Sequence, residues 1–351
     1  MVCGINEGQR KNILDKQKQY KEKQLMYQSN HIVQQMTKMD LHVHLNGAIP
    51  TPLVRDLLYR SGCKLPDGYN CENDLQVLSS VSSLRDYFRP WLALKLLPIG
   101  KDCLKEMMCG AVDHLYRDGV VYMEFRNSPF NIASINNITL EETIDWLAEA
   151  VTAAEEQFPV KVRLIISLSR YNFDLDMAYQ LMVGIKKAHG RKFVVGVDLS
   201  GDENTQVPHD TCRFFRKAKD ELGLSVTIHA GETGNYQNIE WAILDCGATR
   251  IGHGLSAVKS PKTTELIINR NICVEVCLQS NFRTGQIRCP DEHPISQFVA
   301  LGIPFILCSD NPAVHGTTLS DDYNLFYEIT ARQDILEQMF ERQKYFAFSG
   351  E

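Results

Sequence analysis

Two histidines separated by one residue, His42 and His44, close a short apolar run in Asp40-Leu41-His42-Val43-His44-Leu45-Asn46. On a β-strand, positions i and i+2 face the same way, so both imidazoles can address one cation from one side. Zinc takes nitrogen and oxygen ligands and keeps a position open when it is catalytic. Two histidines cannot complete such a site, so the remaining ligands have to come from distant parts of the chain. Taken alone, the pair also has an ordinary explanation, with one histidine buried and hydrogen-bonded and the other facing solvent.

Several other short segments carry groups of the right chemistry. They are Glu124-Phe125-Arg126, Asp198 to Glu203, His229-Ala230-Gly231-Glu232, Gly252-His253-Gly254 and Ser309-Asp310-Asn311. What matters is whether one fold brings them together. From Lys101 onward, amphipathic helical stretches alternate with short apolar runs at 121–125, 162–168, 193–199, 225–229, 249–253, 272–278 and 304–309. With the run at 39–43 this makes eight expected strands. Most of the runs are apolar nearly throughout, as strands covered on both faces must be. Strand–helix alternation of this length and count predicts a (β/α)8 barrel, a TIM barrel of the α/β class. A doubly wound open sheet would call for a glycine-rich phosphate loop after the first strand, and no GxGxxG or Walker sequence occurs. Residues 1–37 read as a helical lead-in, with a helix over 17–36. Residues 38–351 read as the barrel domain, with a lid at 62–98 whose aromatics bunch around Pro90, and residues 319–348 as one or two closing helices.

In a barrel of this kind, chemistry gathers at the C-terminal ends of the strands. The four groups there that suit one metal are His42, His44, His229 and Asp310. Glu232 and His253 stand nearby as an acid and a further imidazole. Singly, each has a bland alternative: Asp310 could cap the turn at Asn311-Pro312, Glu232 could be a solvated loop acid, and His253 could be an ordinary buried histidine. Four ligands at three strand ends, with an acid and a base beside them, are hard to obtain by accident. Glu124 and Arg126 face the same way on one strand and read as a structural ion pair. His315 reads as ordinary. The ends of the third and fourth strands offer no lysine that could bridge two metals, so one metal per chain is expected. Its task would be to make water nucleophilic near neutral pH, with an acid opposite to protonate the substrate.

Composition narrows the class further. The 351 residues are 44% hydrophobic with a formal net charge of -6, which supports a large core and argues against binding long nucleic acid. No apolar run approaches the roughly 18 residues that span a bilayer. The N-terminal stretch has no signal-peptide core. The 11 cysteines lack regular spacing and read as free thiols in a reducing, cytoplasmic setting. The His-x-Glu and Pro-Cys-x-x-Cys signature of one zinc deaminase class is absent.

The segments MDLHVHLNGAI (39–49), VVGVDLSGDE (194–203), TIHAGETG (227–234), RIGHG (250–254), EVCLQSN (275–281) and LCSDNPAVHG (307–316) resemble the adenosine/AMP deaminase family of the metal-dependent amidohydrolases. The resemblance implies one zinc held by His42, His44, His229 and Asp310. It implies that Glu232 protonates purine N1, that His253 orients the attacking water, and that Asp310 helps take its proton. His44, Asn46, Gly201 and Asn311 would line the substrate site, with the Gly201 N–H on ring N3 and Asn311 near N7. The implied reaction is hydrolytic deamination of adenosine or 2′-deoxyadenosine to inosine or 2′-deoxyinosine plus ammonia. Two departures bear on the substrate. Asn46 replaces the usual aspartate near the ribose 5′ end and removes a repulsion against a 5′-phosphate, as in the branch acting on N6-methyl-AMP. Asn311 replaces a second aspartate. A deaminase of AMP or N6-methyl-AMP is therefore the alternative, and a non-catalytic metal-binding barrel the reading from another class. The partner expected is a small purine nucleoside or nucleotide, with no membrane.

Overall fold

The computed structural model describes residues 33–82 and 84–349. The chain divides at 36/37, and the barrel belongs to the larger unit. The helix expected over 17–36 lies outside the described residues except for its last few, where 33–35 form a helical turn.

Eight strands form one parallel sheet in sequential order: β1 (Lys38–His44), β2 (Val120–Asn127), β3 (Lys161–Ser169), β4 (Val194–Ser200), β5 (Ser225–Ala230), β6 (Arg250–His253), β7 (Cys273–Val276) and β8 (Phe305–Leu307). Backbone bonds from His44 N to Asp310 O (2.8 Å) and from Asp310 N to His42 O (2.9 Å) join the last strand end to the first. The fold is a (β/α)8 TIM barrel. The helices that follow the alternation include α1 (Gly100–Arg117), α2 (Leu140–Gln157), α3 (Leu175–Lys187), α4 (Thr211–Leu222), α5 (Tyr236–Leu244), α6 (Pro261–Asn269) and α7 (Ile295–Leu301). Their starts carry the expected caps. Thr139 and Glu142 form a reciprocal capping box on α2, and the Asp174, Asn235 and Ser260 side chains cap α3, α5 and α6.

Two boundaries differ from the pattern. The run at 272–278 stays a strand only to Val276, because the chain then turns at Cys277 into a short helix, Leu278–Arg283. The apolar character of Cys277 and Leu278 reflects burial, which periodicity alone cannot assign to strand or helix. The closing region holds three helices, α8 (Leu319–Thr330), α9 (Gln333–Glu337) and α10 (Met339–Phe346). Ala331 stops α8 in a left-handed conformation, φ 53°.

Between β1 and β2, two short helices, Leu84–Tyr87 and Trp91–Leu94, carry the aromatic cluster. The ring of Tyr87 lies 5.3 Å from that of Phe88 and 5.4 Å from that of Trp91. The Tyr87 hydroxyl accepts from Asn311 Nδ2 (3.1 Å) and meets His315 Nε2 (2.9 Å), so this segment packs onto the end of β8.

Candidate active site

Side chains from β1, β5 and the end of β8 converge. One donor atom each from His42, His44, His229 and Asp310 lies within 4.8 Å of all the others. His44 Nε2 is 3.3 Å from both His229 Nε2 and Asp310 Oδ1, and His42 Nε2 is 3.5 Å from that same oxygen. Gly252 makes the crowding feasible: a Cβ there would come within 2.9 Å of His42 Cε1 and 3.2 Å of His229 Cα.

Two of the three inward-facing imidazole nitrogens are set by a bond at the other side of the ring. His42 Nδ1 lies 2.7 Å from Glu275 Oε2, and His229 Nδ1 lies 3.0 Å from Asp198 Oδ1. An ionised carboxylate only accepts, so both histidines carry their proton on Nδ1 and present the Nε2 lone pair inward. Full burial works against ionised Glu275 and Asp198, yet their partners hold both below the usual carboxylate range: Arg126 and Arg250 for Glu275, the His229 N–H and Arg126 for Asp198. Burial holds His229 neutral and pushes His44 down to about 3. Asp310 stays ionised despite its burial, because His42 and His44 lie against one oxygen, and Ser280 Oγ donates to the other (2.6 Å). Neutral imidazoles and an ionised carboxylate are the forms that bind a metal, and His44, His229 and Asp310 are in them, whereas Asp310 and Glu275 raise His42 against its burial, so a metal there displaces a proton. His42 Nε2 and Asp310 Oδ1 are buried and have no hydrogen-bond partner among the described residues. Buried polar atoms are normally paired, so two orphans in a ring of nitrogen and oxygen donors fit a metal ion.

The acid and the further imidazole stand together, with Glu232 Oε2 3.9 Å from His253 Nε2. Burial, then the charges of Asp310 and Glu203, push the Glu232 carboxyl up to about 8. It therefore holds a proton at neutral pH. His253 and Asp310 both sit in the left-handed region, at φ 64° and 61°, which non-glycine residues adopt at a cost of about 1–3 kcal/mol.

A relay sets the tautomer of His253. Ile295 N–H donates to His293 Nδ1 (3.1 Å), so neutral His293 carries its proton on Nε2 and donates to Asn281 Oδ1 (3.3 Å). The Asn281 amide then presents N–H to His253 Nδ1 (3.3 Å). His253, kept neutral by burial, is left with Nε2–H aimed at the site. It is a hydrogen-bond donor there.

Of the remaining expected residues, Asn311 is buried with its amide on Tyr87, and Asn46 is half-buried in the short helix after β1. Gly201 directly follows β4 at φ 96°. The expected Glu124–Arg126 ion pair does not form. Both side chains enter the barrel, but they meet partners from other strands: Arg126 pairs with Asp198 and Glu275, and Glu124 pairs with Arg250. His315, read as ordinary, is buried against Tyr87. The supporting groups Asp198, Glu275, Ser280, Asn281, His293 and Tyr87 received no role from the sequence. Their signal was present in the polar residues ending otherwise apolar runs, as with Asp198 in VVGVDLS and Glu275 in ICVEVCL.

A family model described as "Adenosine deaminase" matches residues 37–335. The chain belongs to the adenosine deaminase family. An adenosine deaminase of Aliivibrio fischeri (strain MJ11) is 31% identical over 299 residues, covering 84% of this chain and 88% of that protein. The solved apo structure of the N6-methyl-AMP deaminase from Arabidopsis thaliana matches with TM-score 0.76 at 25% identity, over 91% of this chain and 94% of that one. An amidohydrolase from Burkholderia ambifaria, solved with bound Zn, shares the fold with TM-score 0.80 at 21% identity, over 91% and 87%. This adenosine deaminase relative is accordingly a hydrolytic deaminase, and the ring of three histidines and an aspartate fits its metal.

Proposed function

We propose that this enzyme deaminates C6 of a 6-aminopurine nucleoside, adenosine or 2′-deoxyadenosine, with one zinc ion held by His42, His44, His229 and Asp310. The observation that carries the reading is the convergence of those four donors beside Glu232 and His253. When bound, zinc supplies Lewis acidity that makes water nucleophilic near neutral pH. Protonated Glu232 delivers its proton to ring N1, which makes C6 electrophilic. His253 donates its Nε2–H to the incoming oxygen and stabilises the charge that develops there. With His253 already a donor, Asp310 is the group that takes the water's proton. The tetrahedral C6 adduct collapses as the amino group takes the proton held by Asp310 and leaves as ammonia, and the C6 hydroxyl proton returns to Glu232. The Gly201 N–H and the Asn311 amide hold the purine at N3 and N7, while His44 and Asn46 face the ribose side.

The nucleoside is favoured because two arginines at the strand ends that could serve a 5′-phosphate, Arg126 and Arg170, are engaged elsewhere. Arg126 lies buried between Asp198 and Glu275, and Arg170 is buried with Nη2 on His229 O (2.8 Å). A nucleotide such as AMP or N6-methyl-AMP is the second reading. Asn46 supports it by sparing a phosphate a negative neighbour, and so does the likeness to the Arabidopsis N6-methyl-AMP deaminase. Ammonia release from zinc-loaded protein with adenosine, 2′-deoxyadenosine, adenine, AMP and N6-methyl-AMP tests the choice. Highest kcat/KM on adenosine or its deoxy form supports the nucleoside, and a clear win for either nucleotide overturns it. Asn46→Asp sharpens the test, because it abolishes nucleotide turnover selectively if Asn46 is what admits the phosphate.

A further inference from the structure

At the end of the barrel opposite the metal ring, the last residue of α10 and the three after it, 346–349, make a set of specific contacts. Phe348 N–H donates to Glu124 Oε1 (2.7 Å), and Arg250 Nη1 donates to Phe346 O (3.0 Å). The Arg250 guanidinium lies 3.5 Å from the centre of the Phe348 ring, a close cation–π stack. The Tyr122 hydroxyl is 2.8 Å from Ser349 Oγ and 2.9 Å from Glu124 Oε1. Room for the ring comes from Gly196 on β4, where a Cβ would stand 2.8 Å from Phe348 Cδ2.

These contacts continue inward without a break. Arg250 Nη2 donates to Glu124 Oε2 (2.6 Å), and Arg250 Nε donates to Glu275 Oε1 (2.7 Å). The other oxygen of Glu275 accepts the His42 Nδ1 proton at 2.7 Å. Glu124, Glu275 and His42 are fully buried, and Arg250 is 1% exposed. A rigid planar guanidinium bonded on several edges transmits position well.

We propose that Phe346–Ser349 is a plug in the barrel floor that positions the metal ligand His42 through Arg250 and Glu275. With the plug seated, the Phe348 ring covers Arg250 and Phe346 O holds one of its edges. Without it, water reaches the guanidinium, Arg250 swings, and Glu275 loses one of the two guanidinium groups that fix its carboxylate plane, keeping Arg126 on Oε2 and Thr227 Oγ1 on Oε1. His42 then keeps its place in the sequence but loses the orientation and tautomer that present Nε2 to the metal. Outer partners of metal-bound histidines typically set affinity by about 10- to 100-fold. The inference rests on the metal reading of the ring and does not depend on which purine is the substrate.

The test is the zinc dissociation constant of folded protein, by competition with a chromophoric chelator, alongside thermal unfolding of the metal-free form. In the full chain, Phe348→Ala weakens zinc binding by about 10- to 100-fold, and Phe348→Tyr, which keeps the ring and the backbone N–H, restores it. Should Phe348→Ala fail to fold, Gly196→Ala displaces the same ring from the opposite side, and a weakened zinc affinity is expected there too. A lowered unfolding temperature with unchanged zinc affinity would make the plug merely structural and overturns the proposal. A wild-type protein that binds no zinc overturns this proposal and the metal reading together, whereas tight zinc binding without deamination of any purine overturns only the functional reading.

Discussion

The two ends of the barrel are both lined by buried charged and polar side chains, and they treat them in opposite ways. At the floor, each buried charge finds a partner: Arg250 bonds Glu124, Glu275, Leu41 O and Phe346 O. At the mouth, His42 Nε2 and Asp310 Oδ1 face each other 3.5 Å apart with no hydrogen bond among the described residues. Burying a polar atom without a partner costs about 1–3 kcal/mol. The floor avoids that cost, and the mouth accepts it at two of its four converging donors. Satisfied buried charge is architecture, whereas convergent unsatisfied donors mark where the molecule expects something else to bind.

The largest expected effect breaks the mouth outright. His229→Ala removes one of the four ligands and should take bound zinc from near one per chain to near zero by elemental analysis, with activity lost alongside it. Full zinc retention would remove His229 from the ligand set. Next comes Glu232→Gln, which keeps the shape and the zinc but cannot deliver a proton. Its kcat should fall by about 10²- to 10⁴-fold, read in steady-state assays on metal-replete protein.

A floor substitution should behave differently. Arg250→Met leaves Glu124 buried without its cation and Glu275 with Arg126 alone, a defect that typically costs about 3–5 kcal/mol of stability. Denaturant unfolding should show that loss, with weaker zinc retention, while turnover per bound zinc in the folded fraction stays close to wild type. A large drop in turnover per zinc would erase the distinction between the two ends.

The smallest effect is a pH limb. Glu232 is pushed up to about 8, so it is protonated at neutral pH and loses its proton as pH rises. kcat/KM should therefore fall on the alkaline side, by about tenfold per pH unit once the acid is ionised. Bound zinc, being positive, moves the midpoint downward. The same shift has a stability sign. The native carboxyl holds a proton that the unfolded chain, at its ordinary value of 4.5, has released, so this group's contribution declines as pH rises from there to about 8. Metal-free Glu232→Gln should lack that component of the pH dependence of unfolding.

The barrel and its polar strand ends were legible in the residue pattern. Alternating apolar runs and amphipathic helices leave few ways to bury both faces of eight strands, and the period-two spacing of His42 and His44 puts both on one side. The metal-ring residues were legible because donor types at strand ends are rare enough to stand out. Which side chains pair inside the barrel could be read only from the folded chain. Glu124 and Arg126 look like partners because they are neighbours on one strand, yet each reaches across to another strand at its own depth, Glu124 to Arg250 and Arg126 to Asp198 and Glu275. His293 looked ordinary because its importance lies in holding Asn281, which holds His253. Strand periodicity tells which side of the sheet a residue faces. It carries no information on depth along the barrel axis or on contacts between strands far apart in sequence, and those fix the tautomers, charges and orientations on which the chemistry depends.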